Sequence, residues 1–410
     1  MLFFPPLTIT LLAVASGFRL FDGQVIDNFN HPARARRDLE ETNSSTVLQP
    51  GPPAPMRPQN LRKCASEQYT ISSLGDLNQI LGCDEIQGDI VITNFDDAML
   101  KLEELRFVDG SLEVKDSPAL VRLEMPMLQS ISGEFKLQEL TSLCFLQVPS
   151  LAAVREIQWN VLPILSAADI NWERIHNLSS VLISDTSLSY IIGINSGEME
   201  SLNINNNRFL ESVSSDVESV TDMLHIAANG DHINVDLPHL HSTKNLSIHN
   251  VDQLELGELR ECKGSMSLNK NHLHSANFPK LGRVAGTLSL VDNKKLSEVS
   301  FDKLKEIDGG LVLANNTQLT KIDFFPELTT ISGALELVGP IKEVEAPNLK
   351  LIRGSAKIKS TDESFDCLAW SKSGISSVIR GGKNECTNSQ NQNYVANTPT
   401  DPMSMERHCR

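Results

Sequence analysis

Apolar residues recur along this chain in pairs spaced two residues apart, and each pair returns after 20 to 24 residues. The stretch "GTLSLVDNKKLSEV", residues 286–299, is one copy: Leu288 and Leu290 alternate with less apolar neighbours and are followed by Asp292 and Asn293. Apolar residues two apart in an extended chain point to the same face, so each copy predicts one short strand with two inward side chains.

We call each copy a rung and name it by its first inward residue. Thirteen rungs align in this way: Ile90, Leu112, Phe135, Ile157, Val181, Leu202, Leu224, Leu246, Met266, Leu288, Leu311, Leu335 and Ala356. A second apolar cluster often follows ten to fifteen residues later, as in "FPKL" at Phe278 and "APNL" at Ala346. One strand per period in the low twenties is typical of a solenoid, in which each coil buries its apolar edge against its neighbours. We therefore predict an all-β fold, a right-handed parallel β-solenoid of about 13 rungs that resembles leucine-rich repeats.

Asn and Asp residues follow the strands at a fixed offset. They stand two residues after the second apolar site, or one residue later: Asn94, Asp116, Asp185, Asn206, Asn250, Asp292 and Asn315, then Asn207, Asn229, Asn271, Asn293 and Asn316. Such side chains bond neighbouring backbone groups and tolerate a left-handed conformation. We predict a ladder of amides along one corner of the coil. Because the pattern follows the rungs and does not cluster, we interpret it as structural and not as a metal site.

The composition outside the rungs predicts the domain organisation. Residues 1–17 are apolar and end in small residues, which is typical of a secretory signal, and the run is too short for a membrane span. Residues 18–63 are charged and rich in proline, which predicts a disordered linker or pro-segment. The solenoid is expected over residues 64–386 and a polar, disordered tail over residues 387–410. Within the linker, the pair Arg36 and Arg37 is either a processing site or part of a solvated charge run.

Four of the seven cysteines form two pairs near the ends of the solenoid. Cys64 and Cys83 are 19 residues apart, as are Cys367 and Cys386. Each pair would close a loop that stabilises the fold by about 3 kcal/mol.

The other three cysteines are expected to stay outside these pairs. Cys144 and Cys262 lie five rungs apart, beyond the reach of a disulfide, and are predicted to be free, buried thiols. Cys409 is the odd residue in the tail, where it is open to pairing between molecules.

Four Asn-x-Ser/Thr sequons agree with export, at Asn43, Asn177, Asn245 and Asn315. Asn177 and Asn245 lie just before strands and are expected to carry glycans first. Asn315 lies on the predicted ladder, where the backbone competes for its amide unless Asn316 takes over that task.

The charge balance limits the partners. With 52 acidic and 36 basic residues the net charge is -16, which disfavours nucleic acid and anionic lipid surfaces. No cofactor is expected, and no transmembrane segment in the mature chain.

Outward positions of the middle rungs form a polar stripe: Asn203, Asn205, His225, Ser247, His249, Ser267, Asn269 and Ser289. It suits hydrogen bonding to glycan hydroxyls or to a partner, although it lacks the stacking aromatics common at sugar sites. An ordinary solvated sheet face is the alternative. A glycoside hydrolase needs two carboxylates close together, whereas Glu113 and Glu336 lie ten rungs apart, so we predict no enzyme.

Several stretches resemble one known family. They are "EIQWNVLPIL" (156–165), "LISDTSLSYIIGI" (182–194), "LNINNNRFLESV" (202–213), "LHIAANG" (224–230), "GGLVLANNTQLTKIDFFPELTTISGALELVG" (309–339), and the closing "FDCLAW" and "IRGGKNEC". On these residues the chain resembles the fungal GPI-anchored cell-wall organisation proteins of the sporulation-specific and extracellular-mutant group, whose repeats are related to receptor L domains.

The resemblance implies a secreted surface glycoprotein that supports cell-wall organisation and integrity and has no known catalytic residues. Our hypothesis for the partner of the polar stripe is wall polysaccharide or wall mannoprotein. The resemblance also implies that the end cysteines match the family's capping disulfides. Family members usually end in an anchor signal, whereas this sequence ends in "NTPTDPMSMERHCR" without an apolar tail. We therefore expect a released protein, a noncovalently held one, or a shortened sequence. The alternative function is a secreted ligand-binding or effector-type L-domain protein.

Overall fold

The computed structural model describes residues 64–390 and 392–397. These residues form a parallel β-solenoid, as the repeat predicts. The strands that carry the rungs pair side by side in one long sheet: Ala65–Ile71, Glu85–Thr93, Leu112–Lys115, Ser130–Gln138, Ala153–Leu162, Ser180–Thr186, Glu198–Asn205, Ser219–Ala227, Ser242–His249, Met266–Asn269, Leu288–Val291, Leu311–Ala314, Leu335–Gly339, Ala356–Ser360 and Lys383–Thr387. Six short strands belong to the same sheet on a second side of the coil: Phe107–Asp109, Glu261–Cys262, Arg283–Val284, Glu306–Ile307, Thr330–Ile331 and Leu351–Ile352.

A third side of the coil carries smaller parallel sheets. The first comprises Met99–Lys101, Arg122–Glu124, Phe145–Val148 and Ala168–Ile170. The second comprises Tyr190–Ile194, Ser212–Ser215, Ile233–Asp236 and Val251–Glu255. Two pairs follow, Ser275–Asn277 with Glu298–Ser300 and Lys321–Ile322 with Glu343–Val344. Short 3-10 turns at Asp76–Gln79 and Trp172–Arg174 and short helices at Cys367–Ser371 and Gly374–Ser377 complete the described secondary structure.

The register of the long sheet confirms the predicted alignment of the rungs. Every predicted first inward residue pairs with the first inward residue of the next rung, from Ile90 with Leu112 to Leu335 with Ala356. These side chains are buried in one continuous apolar core. The second apolar cluster also points inward: the rings of Phe278 and Phe301 stack at 5.1 Å between centroids, and those of Phe301 and Phe325 at 5.2 Å.

Glycines occupy one corner of the coil because adjacent turns approach closely there. The N–H of Gly309 donates to the carbonyl of Gly286 at 2.9 Å, and that of Gly333 donates to Gly309 at 2.8 Å. A Cβ on Gly309 would lie 2.5 Å from the carbonyl carbon of Gly286. We call this row of glycines, which includes Gly286, Gly309 and Gly333, the glycine column. Adjacent turns are so close there that no side chain fits at these positions.

The structure adds one strand beyond each end of the predicted array. Ala65–Ile71 pairs with the strand of the Ile90 rung, and Lys383–Thr387 pairs with the strand of the Ala356 rung. Disulfides fix both ends: Cys64 is bonded to Cys83 with 5.8 Å between Cα atoms, and Cys367 to Cys386 with 5.6 Å.

The predicted disordered tail over residues 387–410 is wrong for its first part. Asn393–Asn397 forms a strand that pairs antiparallel with Lys383–Thr387 and closes the exposed edge of the sheet. Residues 398–410 lie outside the described part of the chain, as do residues 1–63, for which a signal and a linker are predicted.

Candidate functional site

The corner that follows each strand has the backbone conformation expected of Asn and Asp. All seven predicted residues at the first corner position have positive φ, between 49° at Asp116 and 61° at Asn250. Glu139, Val161, Ala228 and Lys270 adopt the same conformation in four of the six remaining rungs. Asn and Asp are therefore favoured at this position without being required.

The amide ladder itself is formed by the second corner position. Asn207, Asn229, Asn271, Asn293 and Asn316 are all buried. Asn293 is representative: its Oδ1 accepts from the Asn271 N–H at 2.9 Å, and its Nδ2 donates to the Leu268 carbonyl at 2.7 Å. Both partners belong to the preceding rung, so each amide ties two turns of the coil together. Among the described residues, no group of three or more His, Cys, Asp or Glu side chains is placed to hold a metal ion.

The structure brings the residues of the polar stripe together in two rows on the outer face of the long sheet. Strand pairing aligns one row as Asn203, His225, Ser247, Ser267 and Ser289. The second row contains Asn205, His249 and Asn269, with Ala227 between the first two. All eight stripe residues are half-buried.

Short hydrogen bonds hold the stripe side chains in place. Asn205 Nδ2 donates to Asn203 Oδ1 at 2.7 Å, and Asn269 Nδ2 donates to Ser267 Oγ at 2.6 Å. His249 Nε2 lies 3.1 Å from Ser247 Oγ. The stripe is therefore an ordered array of donors and acceptors on a rigid sheet.

His225 and His249, which we call the histidine pair, lie at the centre of the stripe with 6.2 Å between ring centroids. Burial lowers the pKa of His225 below its ordinary value. Burial, the neighbouring His225 and Lys270 also lower the pKa of His249. Both rings are therefore neutral at pH 7, and the whole stripe is uncharged.

Carboxylates on the same face lie away from the stripe and are paired with lysines. Glu113 Oε2 lies 3.0 Å from Lys115 Nζ and its Oε1 lies 3.0 Å from Lys136 Nζ. Although burial alone would raise the pKa of Glu113, hydrogen bonds from both lysines lower it. Glu336 lies 2.8 Å from Lys357. The lowered pKa of Glu113 disfavours a role as a general acid.

The sequence interpretation missed two exposed aromatic residues on the third side of the coil. Tyr190 is 56% exposed and Phe209 is 49% exposed. They are the only Phe, Tyr or Trp residues in residues 64–390 and 392–397 that are not buried or half-buried. Their signal in the sequence is a large ring directly before an inward apolar residue, Ile191 or Leu210.

Three of the four sequons lie in the described residues. Asn177 and Asn315 are exposed, and Asn316 makes the ladder contacts that were expected to compete for Asn315. Asn245 is half-buried, and its Oδ1 accepts from the Ser265 N–H at 3.2 Å. Asn43 lies outside the described residues.

The two central cysteines are free, but only one is buried as predicted. Cys262 is buried, and burial raises the pKa of its thiol to about 11. The prediction that Cys144 is buried is wrong, because this residue is exposed. Cys144 lies between the buried Leu143 and the strand Phe145–Val148, at a position that faces solvent. Cys409, Arg36 and Arg37 lie outside the described residues.

Comparisons with known proteins agree with the fold. Residues 283–339 match the family described as Receptor L domain. Sporulation-specific protein 22 of Saccharomyces cerevisiae is 35% identical over 335 residues, which are 81% of this chain and 72% of that protein. Sporulation-specific protein 2 of the same yeast is 38% identical over 329 residues, 79% of this chain and 65% of that protein.

The cell surface GPI-anchored protein ECM33 of Candida albicans is 30% identical over 347 residues, 84% of this chain and 81% of that protein. No solved structure shows significant similarity. Over the part of the chain that the structure describes, no helix is long and apolar enough to cross a membrane. The chain therefore belongs to the family of sporulation-specific and ECM33-type cell-surface proteins, and its location is extracellular, at the cell surface or in the cell wall.

Proposed function

We propose that this chain is a noncatalytic wall protein that supports cell-wall organisation by holding wall glycan or wall mannoprotein on the outer face of its long sheet. The observation that carries the proposal is the polar stripe. It combines amides, hydroxyls and neutral imidazoles, all of which pair with sugar hydroxyls, on a surface without net charge.

The rigidity of the stripe supports the same proposal. The asparagine ladder and the glycine column fix each strand to its neighbours, and hydrogen bonds within the stripe fix its side chains. The protein therefore loses little conformational entropy on binding, which favours recognition of a ligand by this surface.

We propose that the chain is noncatalytic because its two candidate carboxylates are paired with lysines and lie far apart. Glu113 and Glu336 are each engaged by lysines, and they lie ten rungs apart. Hydrolysis of a glycosidic bond needs one carboxyl group held protonated and a second within about 10 Å. The lysines favour the ionised form of Glu113.

We further propose the organisation expected from the sequence: a secretory signal over residues 1–17 and a linker or pro-segment over residues 18–63. Glycans are proposed at the exposed Asn177 and Asn315 before Asn245, because the backbone engages the amide of Asn245. Endoglycosidase treatment followed by peptide mapping would identify the occupied sites.

Wall retention tests the main proposal. The purified chain is incubated with isolated fungal walls, then washed, and the bound and free fractions are measured together with any reducing sugar released. We expect retention without sugar release. Recovery of all the protein in the wash would refute wall binding and favour a diffusible ligand-binding or effector role, and sugar release above a boiled-protein control would refute the noncatalytic role.

A further inference from the structure

The two exposed aromatic residues lie on adjacent rungs. Tyr190 begins the strand Tyr190–Ile194 and pairs with Ser212 on the next strand. Phe209 precedes Ser212 by three residues. The buried Leu210 lies between Phe209 and Glu211, so both of these flanking side chains point outward.

Each of the two rings contacts a charged side chain. The Tyr190 hydroxyl donates to Glu211 Oε2 at 2.6 Å, so the tyrosine ring extends toward the rung that carries Phe209. The hydrogen bond with Glu211 also raises the pKa of Tyr190, which keeps the hydroxyl protonated. The guanidinium carbon of Arg208 lies over one face of the Phe209 ring, 4.5 Å from the centroid, so only the other face can stack on a ligand. Together with Ile192, which is 50% exposed, these residues form what we call the aromatic patch.

The aromatic patch continues the polar stripe around the asparagine corner. A single rung, that of Leu202, presents Asn203 and Asn205 on the sheet face and Asn206 at the corner. The same rung then continues into Arg208 and Phe209. Hydrogen-bonding groups and an aromatic ring therefore follow one another along one turn of the coil.

The chemistry of the patch fits a sugar ring. A hexopyranose has an apolar face of C–H groups and an edge of hydroxyls, so it suits a flat aromatic ring bordered by hydrogen-bonding groups. Arg208 and Glu211 have opposite charges, which leaves the patch neutral. The net charge of -16 disfavours an anionic ligand. A neutral polysaccharide meets each of these conditions.

The size of the patch disfavours a protein partner. A stable protein interface buries about 800 Å² on each side, whereas a fully buried aromatic side chain contributes about 150–250 Å². Two half-exposed rings and one isoleucine present much less area than such an interface needs.

We propose that Tyr190 and Phe209 are a stacking site for a neutral hexopyranose chain, which continues over Asn205 and Asn203 onto the sheet face. This inference rests on the proposed function, because it names the ligand class and the residues through which the wall is held. It also supplies the stacking aromatics that the polar stripe lacks.

Binding of alanine variants to purified polysaccharides tests the inference. Tyr190→Ala, Phe209→Ala and the double variant are compared with the unmodified protein by depletion onto insoluble β-glucan and by affinity electrophoresis in mannan, which separates the two sources of hexopyranose. Because a ring contributes both apolar area and stacking geometry, each single variant is expected to bind roughly tenfold more weakly.

Two control variants separate stacking from other effects. Val395→Ala truncates an exposed apolar side chain, 54% accessible, in the strand Asn393–Asn397, and it should bind like the unmodified protein. Leu368→Ala removes an exposed side chain, 60% accessible, from the short helix Cys367–Ser371, and it should also have no effect. Circular dichroism and thermal melting check that each variant is folded.

The outcomes distinguish this inference from the proposed function. If the unmodified protein binds polysaccharide and the alanine variants bind equally well, the stacking site is refuted and wall binding stands. If the variants lose retention on intact walls but the unmodified protein binds neither polysaccharide, the ligand is a wall protein and the inference is refuted. If the unmodified protein binds neither walls nor polysaccharide, both proposals fail.

Discussion

Replacing one ladder asparagine is expected to destabilise the solenoid far more than replacing a surface asparagine. Asn293→Ala removes a buried side chain whose Oδ1 accepts from the Asn271 N–H and whose Nδ2 donates to the Leu268 carbonyl. The Asn293 side chain is fully buried, so water does not replace these contacts. The backbone N–H of residue 293 still donates to Asn316 Oδ1, so the next rung keeps its own ladder contact.

The magnitude follows from the two groups left without partners. A buried backbone donor or acceptor that loses its hydrogen bond costs about 1–3 kcal/mol. For the N–H and the carbonyl together, Asn293→Ala should lower the free energy of unfolding by about 2–6 kcal/mol. Asn203→Ala deletes the same atoms on the sheet face, where its Oδ1 accepts only from Asn205, and should stay within about 0.5 kcal/mol.

A serine at the same position should give an intermediate value. Ser117 occupies the ladder position of its own rung, where its Oγ accepts from the Phe95 N–H at 2.9 Å and donates to the Lys115 carbonyl at 2.8 Å. Asn293→Ser would therefore retain an acceptor for the Asn271 N–H and lose the donor to the Leu268 carbonyl, because a serine hydroxyl at this position donates within its own strand.

Urea unfolding followed by circular dichroism measures the order of stability among these variants. Hydrogen exchange locates the change, because long repeat arrays need not unfold in one step. We expect faster exchange at the amide of Asn271 than at amides several rungs away. If Asn293→Ala proves no less stable than Asn203→Ala, the ladder does not stabilise the coil and the reasoning is wrong.

Three further predictions test the packing, the thiols and the histidine pair. Gly309→Ala should lower stability by about 1–3 kcal/mol in thermal melting, because its Cβ would approach the backbone of Gly286. Gly197→Ala is the control, because a Cβ at Gly197 would meet no heavy atom within 4 Å. Equal melting temperatures of the two variants would contradict the steric argument. Alkylation of the folded protein and peptide mapping should label the exposed Cys144 and spare Cys262, whose thiol burial protects, and equal labelling would refute the assigned exposures. Because burial lowers the pKa of both members of the histidine pair in the folded state, the unfolded state binds protons first, and stability is lost as the pH falls below about 6.5. Replacing both histidines by glutamine should reduce this loss in urea unfolding between about pH 7.5 and about pH 5, and an unchanged pH dependence would show that the pair does not contribute.

The sequence predicted the register of the coil because the core imposes it. Inward positions must be apolar in every turn, so the spacing of residues such as Leu202 and Leu224 directly gives their pairing. The left-handed corner was predictable for a related reason, since it favours Asn and Asp. Repetition makes both signals visible in a single sequence.

The ends of the coil were not predictable from the same pattern. The strand Lys383–Thr387 places Asn384 at an inward position, where an apolar residue was expected. Asn384 is buried and accepts from Trp370 Nε1 at 3.0 Å, while its Nδ2 donates to Ser376 Oγ at 2.7 Å. The helices that close the coil thus supply partners that no interior rung has, and the period gives no sign of them.

The aromatic patch could not be predicted from the apolar repeat, because the repeat specifies only the inward positions. Comparison of Tyr190 with the equivalent positions on neighbouring rungs shows instead that its ring is unusual. Strand pairing aligns Tyr190 with Ser212, then Asn234 and Gln253 on the following rungs. All four strands form the same small sheet, so the fold accepts a small or polar side chain at this position. The fold therefore does not require the ring of Tyr190. Because this ring is exposed, it does not stabilise the core. Tyr190 is 56% exposed and hydrogen-bonded to Glu211 on the next rung, so its ring is held in place for the ligand contact that we propose.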